Sequence, residues 1–298
     1  MPRPTDIGVI DLMMGIPKGP GDDSWRRFLG TQLRDQESRE TYRFPAEYMY
    51  KSLPDQRFST DGAAAVLGEM DRFGVERGMI TVSFDDELAV AALKDHPERF
   101  LGAFPVDPNA GMEGVRALRR AVEELGVVAA SAMPSGLNPP VPINDKRFYP
   151  LYAACVDLDI PIFVCAGVPG PRIPFAAQEV ALIDEVCWYF PELRFVTRHG
   201  CEPWVDLAVK LLLKWPNLYY STSAFAPKYY PRQILDFANT RGADKVLYAG
   251  YFPMGLSLER IFTELDDLPL HDGVWEKFLR TNALRVLGLD RSGRGTAA

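Results

Sequence analysis

Histidine is scarce in this chain: there are three in 298 residues, at positions 96, 199 and 271. A catalytic metal needs three or four nitrogen, oxygen or sulfur donors converging on one point, so an all-imidazole site would call on every histidine of the chain. Cysteine is thin as well. Cys155, Cys165, Cys187 and Cys201 form no C-x-x-C pair and no zinc-ligand spacing, which excludes a zinc ribbon and reads as free thiols in a reducing compartment. No apolar run reaches the roughly 18 residues of a membrane span. The first residues lack the basic start and apolar stretch of a secretory signal, so a cytoplasmic protein with no membrane partner is expected. Basic charge is not in excess: 33 Lys and Arg face 40 Asp and Glu, a net charge of -7 that argues against a nucleic-acid partner. No G-x-G-x-x-G follows the first apolar run, so no dinucleotide is expected, and no other cofactor is expected either.

What the chain does have is rhythm. Apolar runs fall at 7–13, 78–84, 100–106, 127–133, 160–166, 193–198, 218–223 and 245–249. Most are unbroken rather than alternating, as in strands buried on both faces. Helical periodicity predicts helices over 62–73, 111–125 with Gly126 as C-cap, 148–158, 176–190, 203–215, 231–239, 258–264 and 272–287. The alternation predicts an α/β chain folded as a (β/α)8 TIM barrel, with one such unit over 1–289. A doubly wound sheet is the competing architecture. Residues 15–59 break the pattern as a long charged insertion after the first strand, expected to be a lid or a subunit contact. Its aromatics Phe44, Tyr48 and Tyr50 suggest packing against something. The tail 290–298 is small and charged, and is expected to be disordered.

In a barrel of this kind chemistry sits at the C-terminal ends of the strands. The first strand delivers Asp11, Met13 and Gly15 there, and the fifth delivers Cys165. The sixth delivers Arg198, His199, Cys201, Glu202 and Trp204, the seventh Thr222 and Ser223. Lys228, Tyr229 and Tyr230 follow, and the eighth brings Tyr248, Tyr251 and Met254. His96 and His271 lie in polar stretches and are expected to be exposed.

Four marks in order, "VID" at 9–11, "RHG" at 198–200, "YFP" at 251–253 and the closing "FLRTNALRVLGL", carry a resemblance. In the last of these Asn282, Ala283 and Arg285 match an Asn-Ala-x-Arg pattern. The chain resembles the amidohydrolase-related (amidohydrolase 2) family, which includes aminocarboxymuconate semialdehyde decarboxylase and γ-resorcylate decarboxylase. The resemblance implies metal ligands as a His-x-His pair on strand one, a His on strand five, a His on strand six and an Asp on strand eight. Here those positions hold Met13 and Gly15, Cys165, His199 and Tyr251. Only the imidazole remains, so no metal site is expected.

The implied activity is a lyase or hydrolase acting on a small carboxylic acid or acyl compound. Lyase chemistry is favoured, because activating water without an ion is hard. Candidate catalytic residues are His199 with Glu202 or Asp11 assisting, Cys165 as a conceivable nucleophile beside His199, and Tyr251 as a donor to an oxyanion. Candidate substrate contacts are Arg198, Lys228, Met13, Trp204, Tyr248 and Tyr229. Arg198 and Lys228 could instead be surface ion pairs, and Glu202 could simply satisfy a helix start. The expected partner is a small, anionic substrate, with a homodimer left open. A barrel that binds without catalysing is the alternative.

Overall fold

A computed structural model describes residues 3–41 and 46–291. Eight strands form one sheet: β1 (Val9–Met14), β2 (Val75–Thr81), β3 (Phe100–Pro105), β4 (Ala129–Ala132), β5 (Ile162–Cys165), β6 (Phe195–Arg198), β7 (Leu218–Ser221) and β8 (Val246–Leu247). They lie side by side in chain order, every neighbouring pair parallel. The ring closes where Phe252, five residues past β8, forms one parallel bridge with Met14 of β1, and the Gly15 N–H donates to the Phe252 carbonyl at 3.0 Å. The ring is thus a (β/α)8 barrel, as the unbroken apolar runs predict. Its strands are buried on both faces because helices cover the outside and side chains fill the inside.

The helices are α1 (Ser24–Leu29), α2 (Gln36–Thr41), α3 (Ala63–Phe73), α4 (Glu87–Asp95), α5 (Met112–Leu125), α6 (Tyr149–Asp157), α7 (Ile183–Tyr189), α8 (Val205–Lys214), α9 (Arg232–Ala238), α10 (Leu258–Leu265), α11 (Asp272–Glu276) and α12 (Asn282–Val286). Gly126 caps α5 in the left-handed conformation, at φ 65°. Three expectations are corrected. α4 had no predicted counterpart, although the Asp86 side chain caps it by accepting from the Ala89 N–H. The helix expected over 176–190 breaks into two 3₁₀ turns before α7, and the one over 272–287 carries a π turn, Lys277–Thr281, between α11 and α12. Among the described residues no helix is long and apolar enough to cross a membrane.

The insertion runs across the C-terminal rim of the barrel and is tied to loop after loop. Lys18 pairs with Asp86 after β2 at 2.7 Å, and Gln32 donates to the Gly136 carbonyl after β4 at 2.6 Å. Arg172, after β5, pairs with Asp35 and Glu37 at 2.8 Å. The Tyr48 hydroxyl donates to the Gly170 carbonyl at 2.6 Å, that of Tyr50 to the Ala224 carbonyl after β7 at 2.9 Å, and Arg57 to the Met254 carbonyl after β8 at 3.2 Å. Leu29 and Leu33 pack with Ile173 in a small apolar cluster of their own. Phe44 and residues 292–298 of the tail lie outside the described residues.

Candidate active site

β6 ends in an unusual turn. His199, Gly200 and Cys201 all have positive φ, at 64°, 90° and 61°. A non-glycine residue pays to sit there, so surrounding contacts must hold the turn in place. The Ser223 Oγ accepts the His199 backbone N–H at 3.1 Å and lies 3.2 Å from Nδ1 of the same residue. The Tyr220 hydroxyl donates to the Gly200 carbonyl at 3.2 Å. Ser223 therefore clamps both backbone and ring. Sequence reading named Ser223 only as a strand-end residue; its contact is with a neighbouring strand, which no local pattern reports.

Gly167 closes on the same turn from below. At φ 98° it lies where only glycine is comfortable, and a Cβ there would sit 2.7 Å from the Glu202 carbonyl oxygen and 2.8 Å from the Cys201 carbonyl carbon. Those are backbone atoms that cannot swing aside. Gly167→Ala is expected to cost about 2–3 kcal/mol in denaturant unfolding, from φ strain plus overpacking. A loss below about 0.5 kcal/mol, the range of a neutral surface change, would show that the turn yields freely.

Arg198 is the last residue of β6, is 6% exposed, and has no carboxylate partner among the described residues. Its Nη2 donates to the Met13 Sδ at 2.9 Å, a weak acceptor, and its Nε is buried with no acceptor. The guanidinium carbon lies 5.6 Å from the centre of the Phe163 ring. Burial lowers its pKa from the ordinary value, opposed by Cys165 and Tyr251. Beside it His199 is half-buried, and its imidazole is pushed down to about 3, first by burial and then by the Arg198 charge. The ring is neutral at neutral pH, and Nε2 has no partner among the described residues. Tyr251 stands edge-on to it at 5.8 Å and is stacked by Tyr50 of the insertion at 6.1 Å.

The structure thus brings together Met13, Cys165, Arg198, His199 and Tyr251, with Tyr50 added by the insertion. The other candidates lie elsewhere. Asp11 is wholly buried: it accepts the Met13 N–H at 2.9 Å, the Gly250 N–H at 2.8 Å and the Tyr248 hydroxyl at 3.3 Å. Asp11 and Tyr248 therefore fasten β1 to β8 behind the site rather than face a substrate. Glu202 is exposed, makes no hydrogen bond to His199 among the described residues, and has its pKa raised by burial. Cys165 is a buried thiol pushed up to about 11, with no bond to His199 among the described residues, so it is no thiolate nucleophile. Lys228 pairs at the surface with Glu264 at 3.7 Å, the alternative the sequence had left open, and its Nζ sits 5.0 Å from the centre of the exposed Tyr229 ring. Trp204 packs on Phe175 at 5.6 Å. His96 proves half-buried against Phe100, while His271 is exposed.

The donors do not suit a catalytic ion of the kind the resemblance implies. Among the described residues no three His, Cys, Asp or Glu side chains gather to hold one. His199 and Cys165 are the two at hand, Asp11 spends its oxygens on β8, and a divalent cation would have to sit against the Arg198 guanidinium. A profile described as amidohydrolase nevertheless matches residues 22–289. The chain belongs to the amidohydrolase family. A stretch of 121 residues of this chain is 29% identical to 2-keto-4-carboxy-3-hexenedioate hydratase of Sphingobium sp. (strain NBRC 103272 / SYK-6), covering 35% of the chain and 36% of that relative. The match thus spans about a third of the curated relative's length.

Among solved structures, an uncharacterised TIM-barrel protein of Bordetella bronchiseptica superposes with a TM-score of 0.77 at 24% identity, over 97% of this chain and 100% of the other. The 5-carboxyvanillate decarboxylase of Novosphingobium aromaticivorans, solved with bound manganese, gives 0.68 at 16%, over 96% and 98%. Both show the fold.

Proposed function

We propose that the protein is a lyase acting without a metal ion on a small carboxylic acid, with His199 moving the proton. The observation that carries this reading is the neutral His199 ring, its Nε2 without a partner among the described residues, beside a buried cation in a described donor set too poor for an ion. The activities of the hydratase and of the decarboxylase support a carboxylic acid as substrate.

Hydrolysis needs activated water, and it is a bound ion that brings the pKa of water down to about 7. Lyase chemistry needs less. In a decarboxylation the bond to the carboxyl carbon breaks, the electron pair stays on the substrate and a proton quenches it. In a hydration water bonds one alkene carbon and loses a proton while the other carbon gains one. Either requires one placed proton-transfer group and a cation to hold the acid. The insertion would serve as a lid over the bound acid, with Tyr50 over Tyr251.

The test is turnover of a panel of unsaturated and aromatic carboxylic acids, read by mass spectrometry as loss of carbon dioxide or gain of water. Turnover that persists in protein stripped by chelation is expected. Activity abolished by chelation and restored by one metal would overturn the reading.

A further inference from the structure

Arg198 presents a problem that its neighbours do not solve. A buried charge is normally paired, because leaving water without a counterion is costly. The guanidinium is 6% exposed, and among the described residues its Nε has no acceptor and its one polar contact is the Met13 thioether. Elsewhere buried charge is compensated within the chain: Asp11 receives two N–H groups and a hydroxyl. The position of Arg198 is equally specific. Its neighbours Met13, Cys165, His199 and Tyr251 stand where the resemblance puts metal ligands.

We propose that the Arg198 guanidinium takes the post an ion would hold, and that this post is a binding site for a planar oxyanion, the carboxylate of the substrate. The proposal rests on the lyase reading only in naming the anion as the substrate's. The chemistry selects a carboxylate because a guanidinium edge presents parallel N–H groups that match two carboxylate oxygens, and the orphaned Nε belongs to such an edge. A thioether and a neutral thiol beside it accept weakly and add no competing negative charge. A docked carboxylate would lie next to the His199 ring, within reach of Nε2, under the Tyr50–Tyr251 pair.

The experiment is equilibrium binding, independent of turnover. Acetate, benzoate and nitrate are titrated into the intact protein, with benzamide as neutral control, and the thermal midpoint is followed alongside calorimetric titration. The anions are expected to raise the midpoint with concentration while benzamide does not. Arg198→Met, close in size and neutral, is expected to lose the rise and to unfold no earlier than wild type in anion-free buffer. Arg198→Lys keeps charge without the fork, and is expected to bind at least tenfold more weakly. Equal midpoint shifts with benzamide, no shift with any of the three anions, or binding by Arg198→Met at wild-type strength would each overturn the site. So would an Arg198→Met protein that fails to fold, since a compensated structural cation behaves that way. Binding without any turnover sinks the lyase reading and leaves the anion site standing; turnover by Arg198→Met at unchanged KM does the reverse.

Discussion

Replacing His199 is expected to lower turnover of the acid found in the chelation screen by about 10²-fold, the lower end of the usual worth of one placed acid–base group, because an imidazole pushed down to about 3 is a weak base. Alanine would disturb the left-handed turn as well as the chemistry, because His199 sits at φ 64°. Asparagine tolerates that backbone better and carries no comparable proton transfer, so His199→Asn is the cleaner variant, with a thermal melt as control. Loss of rate with an unchanged melt assigns the effect to the ring; turnover within tenfold of wild type would remove His199 from the mechanism. The imidazole is pushed down to about 3, so it stays neutral through the mildly acidic range and the rate should show no histidine ionisation near pH 6.5. The same shift has a stability sign. The folded value lies below the unfolded one, so the contribution is present above pH 6.5 and is lost as pH falls toward about 3.

Asp11→Ala is expected to destabilise the barrel by about 3–5 kcal/mol in urea or guanidinium unfolding. Two buried backbone N–H groups, of Met13 and Gly250, and the Tyr248 hydroxyl would lose their acceptor together. Each orphaned buried donor costs about 1–3 kcal/mol. Asp11→Asn retains an oxygen for the two N–H groups and is expected to fall near wild type at neutral pH. Burial raises the Asp11 carboxyl from 3.8 to about 6. Its folded value lies above the unfolded one, so its contribution is complete below pH 3.8 and is lost as pH rises to about 6, a swing of about 3 kcal/mol. Asp11 and His199 therefore pull in opposite directions between pH 4 and 6. Removing the Asp11 part with asparagine should leave a stability that falls more steeply on acidification. An Asp11→Ala protein within 1 kcal/mol of wild type, or an Asp11→Asn protein with an unaltered acid profile, would contradict this account.

The strands were legible because a barrel strand is apolar on both faces. β2 shows the limit of that signal: apolarity marked 78–84, but the strand is Val75–Thr81 and carries Glu76 and Arg77 near its start. Those polar residues lie at the bottom of the barrel, where Glu76 bonds Arg280 at 2.8 Å, so charge at the first turn of a strand hid its start. α4 was passed over because nine residues of modest amphipathicity sit close behind a strand. Position at a strand end pointed to Met13, Cys165, Arg198, His199 and Tyr251, which the fold brings together, but it could not separate a side chain facing the mouth from one turned inward. Tyr248 and Asp11 failed on that distinction. Tyr50 lies 201 positions from Tyr251 in sequence (251 minus 50), and only the folded insertion reveals that they stack.

The way the ring is closed has a consequence for its dynamics. Neighbouring strands elsewhere share two to four paired positions, whereas β1 meets the chain past β8 at one bridge reinforced by the Asp11 clamp. Local opening begins where the fewest bonds must break, so amide hydrogen exchange along this line should outrun that of the other seven joins. Met13 and Tyr251 hang from the two sides of that line. A fluctuation that parts them loosens the cradle around Arg198 before the rest of the barrel notices, tying the protein's least protected seam to its chemistry.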